Sequence, residues 1–197
     1  MIRKPASAIA AAILVAGYFS SALAADPKAI GRYGAWQALT FEEGGNTGCY
    51  IFSEPTQMEG KYSSRGKVYT LITHRPGSKQ LNVVTIIAGY AYKPDSEVVV
   101  EIGDETFKLF TDKGTAWTPT SDSDQRMVEA MKNGSGMVVH GISSRDTETV
   151  DTYSLQGFTK AYTAINEACG LWAYLRSGPA VRATLIDHRL HPNDRVG

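Results

Sequence analysis

The chain has 197 residues, and its 20 basic and 20 acidic side chains balance to a formal charge of zero, so the global attraction expected of a nucleic-acid binder is absent. Two cysteines and four histidines are too few for a cysteine-dense zinc or disulfide framework. The length suits a single hydrophobic core and is short for two domains.

The first 24 residues run from Arg3 and Lys4 through an apolar stretch, Ala6 to Phe19, to the small-residue exit Ala22-Leu23-Ala24. This is the layout of a cleaved secretory signal, and the apolar stretch is short against the roughly 20 residues a membrane span needs. Residues 1–24 are therefore read as a signal peptide cut after Ala24, residues 25–170 as the folded domain and residues 171–197 as a C-terminal extension. Losing Arg3 and Lys4 leaves the mature chain slightly acidic, and no transmembrane span is expected in it.

Short β-rich runs bounded by turn residues follow, at 36–43, 49–53, 68–74 and 82–90. The run 82–90 is nearly continuously apolar around Val83, Val84, Ile86 and Ile87, which predicts burial on both faces near the middle of a sheet. In 97–102, Val98, Val100 and Ile102 share one face, and Gly103-Asp104 predicts a tight turn into 106–111. A helix is expected next, capped by Ser121 or Ser123, carrying Met127, Val128, Ala130 and Met131, and ended by Asn133-Gly134. Runs at 137–142 and 149–155 precede a second helix, in which Phe158, Tyr162 and Ile165 recur at helical spacing before Gly170. Many short strands with two helices predict an antiparallel, all-β sandwich or barrel. The extension past Gly170 has no clear period and is expected to lie on the surface or be partly disordered.

Cys49 and Cys169 both follow the leader, where an oxidising compartment favours pairing, and two cysteines permit one internal bridge. Such a bridge would clamp the second helix to an early strand and stabilise the fold by about 3 to 5 kcal/mol in the chain-entropy account.

Residues able to carry chemistry are scattered. His74, in Thr73-His74-Arg75-Pro76, and His140 could each be half of an acid–base pair, although packed strand histidines explain them as well, and no nucleophile elbow is present. Arg65 and Arg145 lie in two similar turns, Ser63-Ser64-Arg65-Gly66 and Ser143-Ser144-Arg145-Asp146, where hydroxyls beside a guanidinium could hold a phosphate or carboxylate. Arg65, His74, Arg75, His140 and Arg145 are thus the candidate ligand contacts. Asp187, His188, His191 and Asp194 resemble a metal set but sit in the proline-containing tail and are read as solvated. Gly134-Ser135-Gly136 lacks the lysine and third glycine of phosphate-binding loops. No cofactor or metal is expected. The rings Tyr33, Trp36, Tyr50, Tyr62, Tyr69, Tyr90, Tyr92, Trp117 and Tyr153 are read as core, with an exposed cluster that binds a partner or a glycan as the alternative.

Tyr33-Gly34-Ala35-Trp36, Cys49-Tyr50-Ile51-Phe52-Ser53-Glu54-Pro55, Gly89-Tyr90-Ala91-Tyr92-Lys93, and Ser154-Leu155-Gln156-Gly157-Phe158 through Cys169 together resemble, in order and spacing, the bacterial invasion-associated locus B proteins. The resemblance implies an immunoglobulin-like antiparallel β-sandwich, export to the periplasm, outer membrane or exterior, and no established catalytic activity. Some members are linked to entry of bacteria into host cells. The reading is therefore a non-enzymatic envelope or secreted protein that acts by surface contact, in invasion or envelope maintenance, on an unidentified envelope or host-surface partner. A small hydrolase or transferase using His74 or His140, and a glycan or anion binder using Arg65 and Arg145, are the competing readings.

Overall fold

Alternation between buried and outward residues organises the strands of the computed structural model, which describes residues 26–172. The strands are β1 (Lys28–Tyr33), β2 (Trp36–Glu43), β3 (Asn46–Ser53), β4 (Gln57–Gly60), β5 (Tyr69–Arg75), β6 (Gln80–Ile87), β7 (Glu97–Ile102), β8 (Glu105–Asp112), β9 (Thr115–Trp117), β10 (Gly136–Ile142) and β11 (Glu148–Ser154). The helices are α1 (Ser121–Asn133) and α2 (Phe158–Ala168), and a 3₁₀ turn at Pro76–Ser78 links β5 to β6. The signal peptide and most of the extension read from the sequence lie outside the described residues.

The strands form one antiparallel ladder in the order β1-β2-β3-β5-β6-β9-β8-β7-β10-β11-β4. Its two halves fold toward each other, so the layers of this sandwich-like fold are parts of a continuous sheet. Several contacts join the halves: Trp36 Nε1 donates to the Ser154 carbonyl at 3.0 Å, and the Ala35 amide donates to the Gln156 carbonyl at 3.1 Å. Between them lies a core that includes Trp36, Ile51, Ile72, Val84 and Ile86 from one half and Val100, Leu109, Met137, Val139 and Tyr153 from the other. Sheet layers pack this way because period-2 alternation gives each strand one apolar face to bury.

Both helices pack against the inner side of the sheet. The Trp36 and Phe158 rings meet edge to face at 4.9 Å, and α1 buries Met127, Val128 and Met131. Asp124, in the first turn of α1, accepts the Val84 amide at 2.8 Å and so ties the helix to β6. The cap of α1 is Thr120, one residue before Ser121 and three before Ser123, the two serines expected, and its hydroxyl accepts the Ser123 amide at 3.2 Å. The start of α2 has no side-chain cap; Gly157 takes a left-handed φ of 90° there, pressed so close to the Tyr33 carbonyl that a Cβ would collide with it. At its far end the Cys49–Cys169 disulfide joins β3 to the residue after α2, with Cα atoms 6.1 Å apart.

Burial of the run 82–90 on both faces is not what the structure contains. Asn82, Val84 and Ile86 point inward, whereas Val83, Thr85 and Ile87 are half-buried on the outer face. The strand stops at Ile87 because the chain turns through Gly89, whose φ of 72° and close approach to Gly66 exclude a side chain.

Candidate functional site

The five candidate contacts do not converge. Arg65 is turned inward, with a side chain only 4% exposed. It forms a bidentate pair with Asp151 at 2.6 Å on both arms, donates through Nε to the Ala88 carbonyl at 2.6 Å, and lies over the Tyr90 and Tyr62 rings. Its donors are therefore spent inside the fold, where they fasten the 61–68 loop to β11, and are not presented to an outside anion. Arg145 is exposed in the β10–β11 turn, whose shape comes from the Ser143 hydroxyl accepting the Arg145 and Thr147 amides. In place of the shared anion site that the competing reading asks of Arg65 and Arg145, the structure has an internal ion pair at one and a solvated turn at the other. His140 is on the outer face of β10, its Nε2 3.7 Å from Glu101.

His74 and Arg75 are neighbours in sequence but occupy opposite faces of β5. Arg75 lies over the Phe41 ring at 5.5 Å and pairs with Glu43 at 3.0 Å on the outside. His74 is 1% exposed, beneath the helices. The β5–β6 register shifts there, leaving Leu81 and Asn82 opposite His74 in place of one residue. Asn82 absorbs the extra residue with a left-handed φ of 62°, and its amide donates to His74 Nδ1 at 3.0 Å. Burial lowers the His74 pKa to about 4, against a smaller opposing effect from Asn166, so the imidazole is neutral with its proton on Nε2.

Above His74, α1 and α2 enclose a cleft of about 250 Å³. Along one side runs a chain of hydrogen bonds: Tyr162 donates to Asn82 at 2.6 Å, Asn82 to Gln125 at 2.6 Å, and Gln125 to Glu129 at 3.1 Å. Lys132 completes the chain, 2.9 Å from Glu129.

The outer face of the first half of the sheet has a different chemistry. Tyr50 and Phe52 alternate with buried Cys49, Ile51 and Ser53, and so face outward. Register sets Leu39 opposite Tyr50, Leu71 opposite Phe52, Ile87 opposite Tyr69, Trp117 opposite Thr85, and Phe110 opposite Trp117. Rings follow one another across the strands: Phe41 to Tyr50 at 5.9 Å, Tyr50 to Phe52 at 6.2 Å, Phe52 to Tyr69 at 5.5 Å, and Phe110 to Trp117 at 5.7 Å. All are half-buried except Phe110, which is 51% exposed. An apolar band of this extent on an outer face is unlike the scattered apolar residues of an ordinary surface. Partial burial holds the Tyr50 hydroxyl above its ordinary pKa, so it stays a neutral donor.

Of the nine rings singled out from the sequence, Trp36, Tyr92 and Tyr153 are core, while Tyr50, Tyr69 and Trp117 belong to this band. The band's other members, Leu39, Phe41, Phe52, Leu71, Ile87 and Phe110, were not anticipated. Their signal was present as strands apolar at both odd and even positions, a pattern equally consistent with burial on two sides.

The profile of the family described as "Invasion associated locus B (IalB) protein" matches residues 36–166, from the start of β2 into α2. No curated protein matches the sequence significantly. Among solved structures, this chain is similar to invasion associated protein B from Bartonella henselae, with 12% identity and a TM-score of 0.49 over 70% of this chain and 95% of that one. The family match spans both layers of the sheet and α1, and on it the chain belongs to the invasion associated locus B (IalB) protein family.

Proposed function

We propose that this family member is exported and works by contact at the envelope or cell exterior, in host-cell entry or envelope maintenance, with the aromatic outer face as its contact surface. The observation that carries the reading is the outward apolar band, with one run of ring contacts from Phe41 through Tyr50 and Phe52 to Tyr69 and a second between Trp117 and Phe110. Aromatic rings supply large contact area at little rotameric cost, which is why they dominate binding hot spots. Export is supported by the secretory pattern of residues 1–24 and by a disulfide of the kind that persists in oxidising compartments. No helix among the described residues is long and apolar enough to cross a membrane.

Turnover through His74 or His140 receives less support. His74 is buried at the base of the cleft among amide neighbours, with no carboxylate beside it among the described residues, and His140 stands on an outer strand face beside Glu101. The contact reading is tested by comparing the mature protein with a Phe52→Ser/Trp117→Ser variant for retention on isolated envelopes and on host-cell surfaces. A Lys108→Ala variant, at a charged outward position of β8 two residues before Phe110, serves as the control. Loss of retention confined to the aromatic variant, with both variants folded, is expected; equal retention by all three sinks the proposal.

A further inference from the structure

The cleft between α1 and α2 combines two observations. The His74 imidazole and the Asn166 amide, on residues 1% and 2% exposed, lie within hydrogen-bonding reach of each other at its base, yet neither His74 Nε2 nor the Asn166 side-chain nitrogen has an aligned hydrogen-bond partner. Buried polar groups are nearly always paired, because stripping a donor of water without replacement is costly. The opening above them is also roomy: an apolar cavity of about 150 Å³ already admits benzene, and this one measures about 250 Å³.

The chemistry of the base is that of a donor pair. His74 Nδ1 is occupied by the Asn82 amide, which fixes the imidazole proton on Nε2 as a donor, and the Asn166 nitrogen is a donor by nature. Two donors cannot satisfy each other. An acceptor placed between them would receive both, and a carboxylate accepts two such bonds at once. The opposite side of the cleft is closed to this role, because Asn82, Gln125 and Tyr162 are already bonded to one another. Lys132, half-buried at the lining and held over the Tyr162 ring, is paired with Glu129 at 2.9 Å; the two charges cancel at rest, and Lys132 is the cation that an entering carboxylate would draw from that pair.

We propose that this interhelical cleft is a binding site for a small organic carboxylate, accepted at its base by His74 Nε2 and the Asn166 amide and favoured by Lys132. The inference is independent of the aromatic contact face and survives if that reading fails. Both nitrogens lie below the solvent-accessible surface, so binding requires the Asn166 side chain to turn toward the entering ligand.

The test uses the mature, disulfide-bonded protein labelled with nitrogen-15, observing the His74 imidazole while sodium benzoate is added to about 10 mM, enough to load a site with a Kd near 1 mM. Benzamide at the same concentration is the neutral counterpart, and sodium chloride controls for ionic strength. A saturable shift of the Nε2 resonance with benzoate, weaker or absent with benzamide, and accompanied by a rise in Tm, is expected. Asn166→Leu should abolish it. Lys132→Met, with folding checked by its melting curve, should weaken affinity by up to about fivefold. The alternative is that the Asn166 amide is turned end for end, its oxygen accepting from Nε2 with no ligand needed. That arrangement predicts no saturable response to benzoate, or one that is identical with benzamide and unchanged in Lys132→Met, and either result overturns the proposal.

Discussion

The two outer faces of this sheet are built from the same strand geometry and carry opposite chemistry. Across β2, β3, β5, β6 and β9 to the end of β8, outward positions include Leu39, Phe41, Tyr50, Phe52, Tyr69, Leu71, Ile87, Trp117 and Phe110. Across β7 and β10 they hold Glu97, Val99, Glu101, Val138 and His140, with Lys108 of β8 paired to Glu97 at 3.0 Å. Both halves bury the inner faces of their strands in one core, so the chemistry of the outer faces is not what forms that core. Folding needs each strand to bury one face; what the other face carries is free to serve contact or solubility.

That comparison presumes that both halves share one core, so the sharpest way to break it is to separate them. Asp151→Ala leaves the Arg65 guanidinium buried and unpaired and is expected to cost about 3–5 kcal/mol in chemical denaturation, with much of the loss recovered in an Arg65→Met/Asp151→Leu double variant. A single variant within experimental error of the wild type would show that the ion pair does not hold the layers in register. Removing the covalent tie comes next: Cys49→Ala/Cys169→Ala should lower stability by about 2–5 kcal/mol, read from the denaturation midpoint, while both outer faces stay as they are.

A third prediction concerns acid. The unfolded His74 imidazole takes up a proton near pH 6.5, whereas the folded one resists until about pH 4. Between those values the unfolded state binds more protons, so stability is full above about pH 6.5 and falls as pH is lowered toward 4, by about 3 kcal/mol for this group. The side chains around the imidazole, Asn82, Tyr162 and Asn166, do not titrate in that window; Glu129 and Lys132 farther along the cleft pair with each other. His74→Asn should flatten the stability profile between pH 4 and 6.5, and an unchanged slope would place the acid sensitivity elsewhere.

The outer faces themselves are expected to respond least. Phe52→Ser removes a half-buried ring and should cost about 1 kcal/mol of stability, small beside its expected effect on surface retention. Lys108→Ala breaks an exposed pair and should shift the unfolding free energy by less than about 1 kcal/mol. A Phe52→Ser protein that fails to fold would make the aromatic band a structural necessity and erase the contrast between the faces.

Much of the framework was legible before the structure. The predicted runs at 36–43 and 97–102 coincide with β2 and β7, and both helices stand where apolar spacing switched from two to three and four. Three strands were missed, and each for a reason. β1 and β4 are edges, largely or wholly exposed, so no alternation betrays them. β9 is three residues long and exists because β6 and β8 flank it. Among the candidate contacts, Arg65 shared its local signature with Arg145, Ser-Ser-Arg in a turn, yet one guanidinium ended inside the fold and the other in solvent. Nothing near Arg65 in the chain announces Asp151, its partner 86 residues away.

What the sequence by itself determined is local in kind: which residues of each strand share a face, where helical spacing begins, the one bridge that two cysteines allow, and landmarks enough to indicate the family. What only the tertiary structure decided depends on segments far apart in the chain. Whether a strand apolar on both sides is covered twice or once, whether His74 faces solvent or two helices, and whether an arginine meets a ligand or a carboxylate of its own chain are set by how the sheet folds back on itself. The physical reason is that side-chain alternation follows from backbone geometry within a few residues, whereas burial of the second face, and the charge it meets there, is a property of the neighbour that closure of the sheet supplies.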